Sequence, residues 1–235
     1  MDRIIHKKCK KTEQNYPIFT KVKGNPIVLS WLKKSYFVTK KMDFTEHGFN
    51  HAEFVAKRAQ YISSNIGLSQ HNQDLSMTGA LCHDIGNFLS RTHHHYYGSI
   101  LFFNIFQNII NIDDLTILMQ AIANHDKEGM KFTHPAAAIT VIADKSDVRR
   151  ERVLENDLEK IKESIHYRVN YATVENELLV DKKKKTITLK LKIDKKFCKV
   201  MEYFEIFMDR MNYCRIAAQY LGYDFKLVIN DFKLL

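Results

Sequence analysis

Residues 81–87 read LCHDIGN, a histidine and an aspartate set side by side between an apolar run and a glycine. A helix C-terminus explains part of this. A cationic histidine complements the negative end of the helix dipole, and Gly86 supplies a residue for the turn beyond it. Asp84 is left over, because a carboxylate there meets the wrong pole. The residues on either side of this stretch decide what the pair is for.

Upstream, Thr45 is a candidate N-cap. His47, His51, Val55, Ala59, Ile62 and Ile66 follow it at helical spacing as far as Gly67. Asp74 is expected to cap the next helix, which runs through Leu81 and closes at His83–Asp84. Downstream, a third helix is expected from about His94 to Ile110. A fourth opens at Asp113 or Asp114 and ends at His125, and a fifth begins with Pro135 in its first turn. Residues 149–165, RRERVLENDLEKIKESI, read as a charged helix that closes the main domain. Residues 21–42 form a short helical entry segment.

Beyond residue 166 the texture changes. Residues 167–180, YRVNYATVENELLV, and 185–193, KTITLKLKI, are β-rich. The second alternates Ile187, Leu189, Leu191 and Ile193 with Lys and Thr, the pattern of a half-buried strand. The lysines 182–185 make the hairpin turn between them. A helix over 196–222 and a strand over 224–230 complete a β-β-α-β unit. The expected division is a basic entry segment (1–42), a helical metal-binding domain (43–165) and a small α+β domain (166–235).

The net charge of the 235-residue chain is +9, unevenly spread. Residues 1–41 hold 11 Lys/Arg against two Asp/Glu, while residues 42–165 hold 11 against 16. Nine of the 11 histidines fall between His47 and His134. Basic flanks around an acidic, histidine-rich centre suit a cation-binding core that meets an anionic substrate. Lys8, Lys10 and Lys182 to Lys185 also read as plain solvated surface. No aromatic-interleaved basic pattern marks a nucleic-acid partner. Cys9, Cys82, Cys198 and Cys214 lack zinc or disulfide spacing. With no signal peptide evident, they suggest a reducing cytoplasm. The most apolar run, residues 96–112, is broken by Asn104, Gln107, Asn108 and Asn111 and falls short of the roughly 20 residues of a membrane span. A homo-oligomer is compatible with the sequence.

On this reading five helices bring polar residues together: His51, His83 with Asp84, the THHHYYG cluster at 92–98, His125, and Asp144 with Asp147. Several imidazoles with two carboxylates and no thiolate suit iron, manganese, cobalt, nickel or zinc. Of the three consecutive histidines, only one points squarely inward from a helix. Counting back from an apolar face at Leu101, Ile105 and Ile109 by three and then four gives Gly98 and His94. His93 and His95 fall to the sides, as supporting or exposed residues. Gly98 is expected to leave space for metal or substrate.

The ordered set resembles the HD-domain metal-dependent phosphohydrolases over residues 43–150. NHAEFVAKRA (50–59) is similar to their first motif, GALCHDIGN (79–87) to the His-Asp motif and VIADKSD (141–147) to the last. His94 and His125 match the extra histidines of the two-metal branch. The resemblance implies a mainly α fold, an HD-type helical bundle with the C-terminal α+β appendage. It implies two divalent metal ions held by His51, His83, Asp84, His94, His125 and Asp144, with His47 and Asp126 as additional candidates. It further implies a hydrolase cleaving a phosphate ester, of a nucleotide or a related small phosphorylated molecule, with water activated between the metals. Asp84 is the expected bridge. Lys145, Arg149 and Arg150 are candidates to neutralise phosphate, or to form surface salt bridges. The leaving-group acid is open among Asp147, Asp126 and His47. HDKEGMKFTHP (125–135) lacks the Gly-Tyr-Pro loop of relatives that hydrolyse cyclic dinucleotides. The alternative is a non-catalytic nucleotide- or metal-binding regulatory module.

Overall fold

The computed structural model describes residues 15–126, 129 and 131–234. Lys8, Cys9 and Lys10 lie outside the described residues.

The entry segment is two helices, α1 (Pro17–Lys23) and α2 (Pro26–Lys41). Asn25 separates them, its side chain accepting from the backbone N–H of Ile27 at 2.9 Å, with Pro26 in the first turn of α2. The bundle follows as α3 (Phe49–Ile66), α4 (Gln70–Cys82), α5 (His94–Phe106), α6 (Ile112–Ala123) and α7 (Pro135–Lys145). A 3-10 turn, Ile85–Phe88, joins α4 to α5. α3 ends at Gly67 in a left-handed conformation (φ +86°) that a side chain there would strain. α7 is buried from Ala136 to Lys145.

Two expected caps are placed differently. Ser69, not Asp74, caps α4. The Asp74 carboxylate accepts from Ile18 N at 2.9 Å and Phe19 N at 2.7 Å, so it fixes the start of α1 across the bundle. At α3, Gly48 occupies the cap position instead of Thr45. Glu46 reaches forward to the N–H groups of Gly48 (2.9 Å) and His51 (2.7 Å), which would otherwise be unsatisfied.

The charged segment at 149–165 is not one helix. It makes a single 3-10 turn at Arg150–Arg152, runs extended, and forms only α8 (Leu158–Glu163). Arg152 is the physical reason. Its buried guanidinium donates to the carbonyls of Glu46 (2.9 Å) and Asp147 (3.0 Å), and a uniformly solvated helix would not permit that. The stretch expected to open a strand at Tyr167 is instead α9 (Ile165–Ala172), capped by the Ser164 hydroxyl. A local cap there overrides the β-branched and aromatic composition.

The C-terminal unit holds β1 (Thr173–Asp181), β2 (Thr186–Ile193), α10 (Val200–Tyr220), β3 (Asp224–Ile229) and the short β4 (Phe232–Lys233). The strands lie in sequence order. β1 and β2 are antiparallel with Leu178 opposite Leu189. β2 and β3 are parallel with Leu189 opposite Leu227, α10 being the crossover. The lysine turn stands where expected, its N–H groups at Lys183 and Lys184 bonded to the Asp181 carboxylate. The expected alternation holds as well, with Ile187, Leu189, Leu191 and Ile193 all buried.

α10 packs against both α7 and β3. Its buried stripe, Tyr203, Phe207, Met211, Cys214 and Ala217, joins Ile139 and Ile142 of α7 and Leu189 and Leu227 of the sheet in one apolar cluster. Each large side chain of this kind contributes about 1.5–3 kcal/mol on burial. The bundle and the sheet therefore share a core, and α10 stands beside the helix that carries Asp144.

Candidate metal centre

Six polar side chains converge where the helices of the bundle meet. His51 comes from the first turn of α3, His83 and Asp84 from just past α4, and His94 from the start of α5. His125 lies just past α6, and Asp144 is in the last turn of α7. All six are buried. His51 Nε2 lies 3.3 Å from Asp144 Oδ1, and His83 Nε2 lies 3.2 Å from Asp84 Oδ2 and 3.6 Å from Asp144 Oδ1. On the other side, His94 Nε2 lies 3.2 Å from Asp84 Oδ1 and 3.1 Å from His125 Nε2. The two oxygens of Asp84 thus face different histidine pairs.

The outer nitrogens are all occupied. His51 Nδ1 bonds Asp147 Oδ2 at 2.7 Å, His83 Nδ1 the Ala80 carbonyl at 2.7 Å, His94 Nδ1 the Arg91 carbonyl at 2.9 Å, and His125 Nδ1 the Ile122 carbonyl at 2.7 Å. A carbonyl or carboxylate requires the Nδ1–H tautomer of a neutral ring. Each Nε2 then turns a lone pair toward the centre. The Nε2 atoms of His51 and His83 are buried without a hydrogen bond. Buried, oriented and unsatisfied imidazole nitrogens beside carboxylates fit a borderline divalent cation. Donor atoms of His51, His83 and Asp84, of His83, His125 and Asp144, and of Asp84, His94 and His125 each cluster within 4.8 Å and could hold an ion.

Charge is strongly organised here. Burial opposes the charged forms of Asp84 and Asp144, yet His83, and Lys145 beside Asp144, hold both carboxyls well below the usual range. Burial likewise disfavours a charged His83, but the two aspartates outweigh it and push the ring up to about 10, so a cation that binds its Nε2 displaces a proton. His125 is held well below the ordinary value by burial, and further by His83 and Lys145 beside it. The buried Lys145 ammonium lies 2.6 Å from Asp126 Oδ1 and 3.0 Å from Asp144 Oδ2. A small pocket opens onto the cluster, and His47, Arg91, Asp126, Lys145 and Arg210 line it with Asp84, His94, His125 and Asp144.

The remaining sequence candidates separate. His47 lines the pocket with Nδ1 turned to the Thr45 carbonyl, but among the described residues it joins none of the tight donor groups. Asp126 belongs to a further group with His94 and His95. Asp147 lies behind His51, fully buried and bonded to Arg149, so it does not face the pocket as an acid would. Arg149 and Arg150 are elsewhere. Arg149 stacks on Phe54, 3.4 Å from the ring centroid, and Arg150 stacks on Tyr171 and donates to its carbonyl. Neither lines the metal pocket. Arg91 and Arg210 line it instead. Arg91 is three residues before His94, a proximity that could have flagged it. Arg210 lies 63 residues beyond the last motif residue, Asp147, and carried no signal.

His94 points inward, as expected, while His93 is exposed in a left-handed conformation. The apolar phase of α5 differs from the expected one, however. Gly98, Phe102 and Phe106 are buried, whereas Ile109 is 46% exposed. A spacing of four from His94 (98, 102, 106) leads to the same histidine by a different stripe. Gly98 is also not a metal space. A Cβ there would meet Ile122 at 3.2 Å and the Gly86 nitrogen at 3.4 Å.

Comparison with known proteins agrees with this geometry. The HD domain family model matches residues 48–163. This segment is an HD domain. Its limits enclose His51, the His83–Asp84 pair, His94, His125 and Asp144, and HD domains are in general metal-dependent phosphohydrolases. The chain is also 26% identical over 158 residues to an uncharacterized protein of Methanocaldococcus jannaschii, a match covering 57% of this chain. The chain spans 61% of that relative's length. Among the described residues, no helix is long and apolar enough to cross a membrane.

Proposed function

We propose that the protein is a metal-dependent phosphohydrolase acting on a nucleotide or a related small phosphorylated molecule. The observation that carries this reading is the orientation of Asp84. Its Oδ1 faces His94 and His125, its Oδ2 faces His83 and His51, and each of these rings has its Nδ1 tied to an acceptor. That arrangement supports a two-ion centre in which His51, His83 and Asp144 serve one ion, His94 and His125 the other, and Asp84 both. When bound, such ions supply an activated water and neutralise charge on a phosphoryl group.

The chain's own residues account for selectivity. Asp147 holds the His51 ring and fixes its tautomer. Lys145 brings a buried positive charge to the pocket wall beside Asp144, where an anionic group is otherwise unfavourable. With two divalent ions in place, the three carboxylates of the pocket are outnumbered by positive charge, and a phosphate dianion is the complementary ligand. Asp126, held by Lys145 at 2.6 Å, stands where cyclic-dinucleotide hydrolases carry a second histidine, which points to other phosphate esters.

The test is metal analysis of protein purified without chelator, followed by a screen of nucleotides and phosphomonoesters with manganese or iron. Hydrolysis that depends on added metal and is abolished in Asp84→Ala is the expected result. Metal uptake and nucleotide binding without any turnover would replace it with a regulatory binding module.

A further inference from the structure

Arg210 belongs to α10, outside the matched family segment, yet its side chain lines the pocket above the metal-donor cluster. It is half-buried and makes neither a hydrogen bond nor an ion pair among the described residues. What positions it is apolar: the guanidinium carbon lies 4.9 Å from the centroid of the Phe207 ring, and Phe207 in turn stacks on the buried Tyr203. The opposing charges that act on it are Asp144 and Asp126, but Lys145 already pairs with both at 3.0 and 2.6 Å. The guanidinium has five donors, and leaving them unused in a partly desolvated place is unfavourable. Burial, partly offset by Asp144, pulls its pKa below the ordinary arginine value. Arg91 lines the same pocket, anchored to Asn87 Oδ1 at 3.0 Å and stacked over Phe44.

A planar guanidinium without an acceptor, lining the same pocket as Asp84, His94, His125 and Asp144, suits a phosphate contact. We propose that Arg210 is a phosphate-binding residue of the site, so that the C-terminal α+β unit completes the substrate pocket of the HD domain. The proposal rests on the phosphohydrolase reading for the identity of its anion. It also gives α10 a task beyond packing: the stripe Tyr203–Phe207–Met211 locks the helix to the core, and Arg210 projects from the edge of that stripe.

The experiment uses the full chain loaded with manganese, comparing wild type, Arg210→Ala, Arg210→Lys and the exposed control Arg215→Ala. Binding of inorganic phosphate is measured by calorimetry. KM and kcat are measured with p-nitrophenyl phosphate, alongside metal content and melting temperature. Arg210→Ala is expected to weaken phosphate binding by about tenfold or more and to raise KM, with metal content and melting temperature unchanged. Arg210→Lys should recover part of the loss, and Arg215→Ala should match wild type. Wild-type phosphate affinity in Arg210→Ala overturns the proposal, as does loss of metal in that variant or absence of phosphate binding in wild type. Arg210-dependent phosphate binding without hydrolysis would keep this proposal and remove the catalytic one. Hydrolysis with KM indifferent to Arg210 would do the reverse.

Discussion

His51 and Asp147 are joined by a 2.7 Å hydrogen bond between Nδ1 and Oδ2, on the side of the ring away from Asp84 and Asp144. Arg149 grips the same carboxylate, and the Arg152 guanidinium lies 3.8 Å from it. The aspartate is therefore fixed before it fixes the histidine. Asp147→Asn keeps the shape but can present an amide N–H to Nδ1, which favours the tautomer with the proton on Nε2. Metal affinity is expected to fall by roughly 10–100-fold, with the helical signal preserved. Titration of metal into the variant checks this, and unchanged affinity would mean that the carboxylate is not needed to set the ring.

Gly86 and His94 test whether the approach of two backbones positions a donor. A Cβ on Gly86 would lie 2.1 Å from the His94 carbonyl oxygen and 2.6 Å from the Gly98 nitrogen. Backbone cannot yield as a flexible side chain does. Gly86→Ala should cost about 1–3 kcal/mol or more and should displace His94 from Asp84. A lower denaturation midpoint together with weakened metal binding is the expected pair of readings. Normal metal binding in a destabilised variant would show that the start of α5 adjusts independently of its histidine.

These two contacts also mark how far the sequence could be read. Helical spacing and the ordered His, His-Asp and Asp motifs were enough to expect a bundle and its six converging donors, because ligands on helix faces follow a local periodicity. Gly86 looked like a helix terminator, but its close approach to α5 is a tertiary fact. His94 was reached through an apolar stripe that the fold partly exposes. The Asp74 carboxylate reaches α1 55 and 56 residues back, the buried Arg152 reaches Glu46 106 residues back, and Arg210 arrives on another element. No local pattern reports them. Arg149 and Arg150 had the right charge in the right stretch, yet the chain turns them onto Phe54 and Tyr171.

Stability should depend on pH through the tie between α9 and α10. The Arg168 guanidinium donates to Glu202 Oε1 at 2.9 Å, and this bond holds the carboxyl below its ordinary value. A depressed folded-state pKa means the contribution is present above the unfolded value, about 4.3, and is lost as pH falls through the folded one. Each side chain is 20% exposed, so the contribution is modest, about 0.5–1 kcal/mol. Glu202→Gln should lower the urea midpoint at pH 7, and the gap to wild type should close as the medium is acidified below pH 4. A gap independent of pH would mean that the charge on Glu202 does not contribute to stability.

The last prediction separates the two halves of the donor cluster. Asp84 faces both histidine pairs, whereas His125 Nε2 lies 3.1 Å from His94 Nε2 and meets Asp84 through Oδ1. If each half holds an ion, wild-type protein should carry about two metals per chain. His125→Ala should carry about one, because His51, His83, Asp84 and Asp144 remain. Asp84→Ala should lose most of both. Folding stability should follow the same order, since an ion that binds only the folded chain adds about 2.7 kcal/mol at a free concentration of 100 times its Kd. Chelation should therefore lower the melting temperature of wild type more than that of His125→Ala, and that of Asp84→Ala least. Elemental analysis and thermal melts with and without chelator read both quantities on the same samples. One metal per chain in wild type, unchanged in His125→Ala, would leave His94 and His125 as packed core residues and reduce the centre to a single ion.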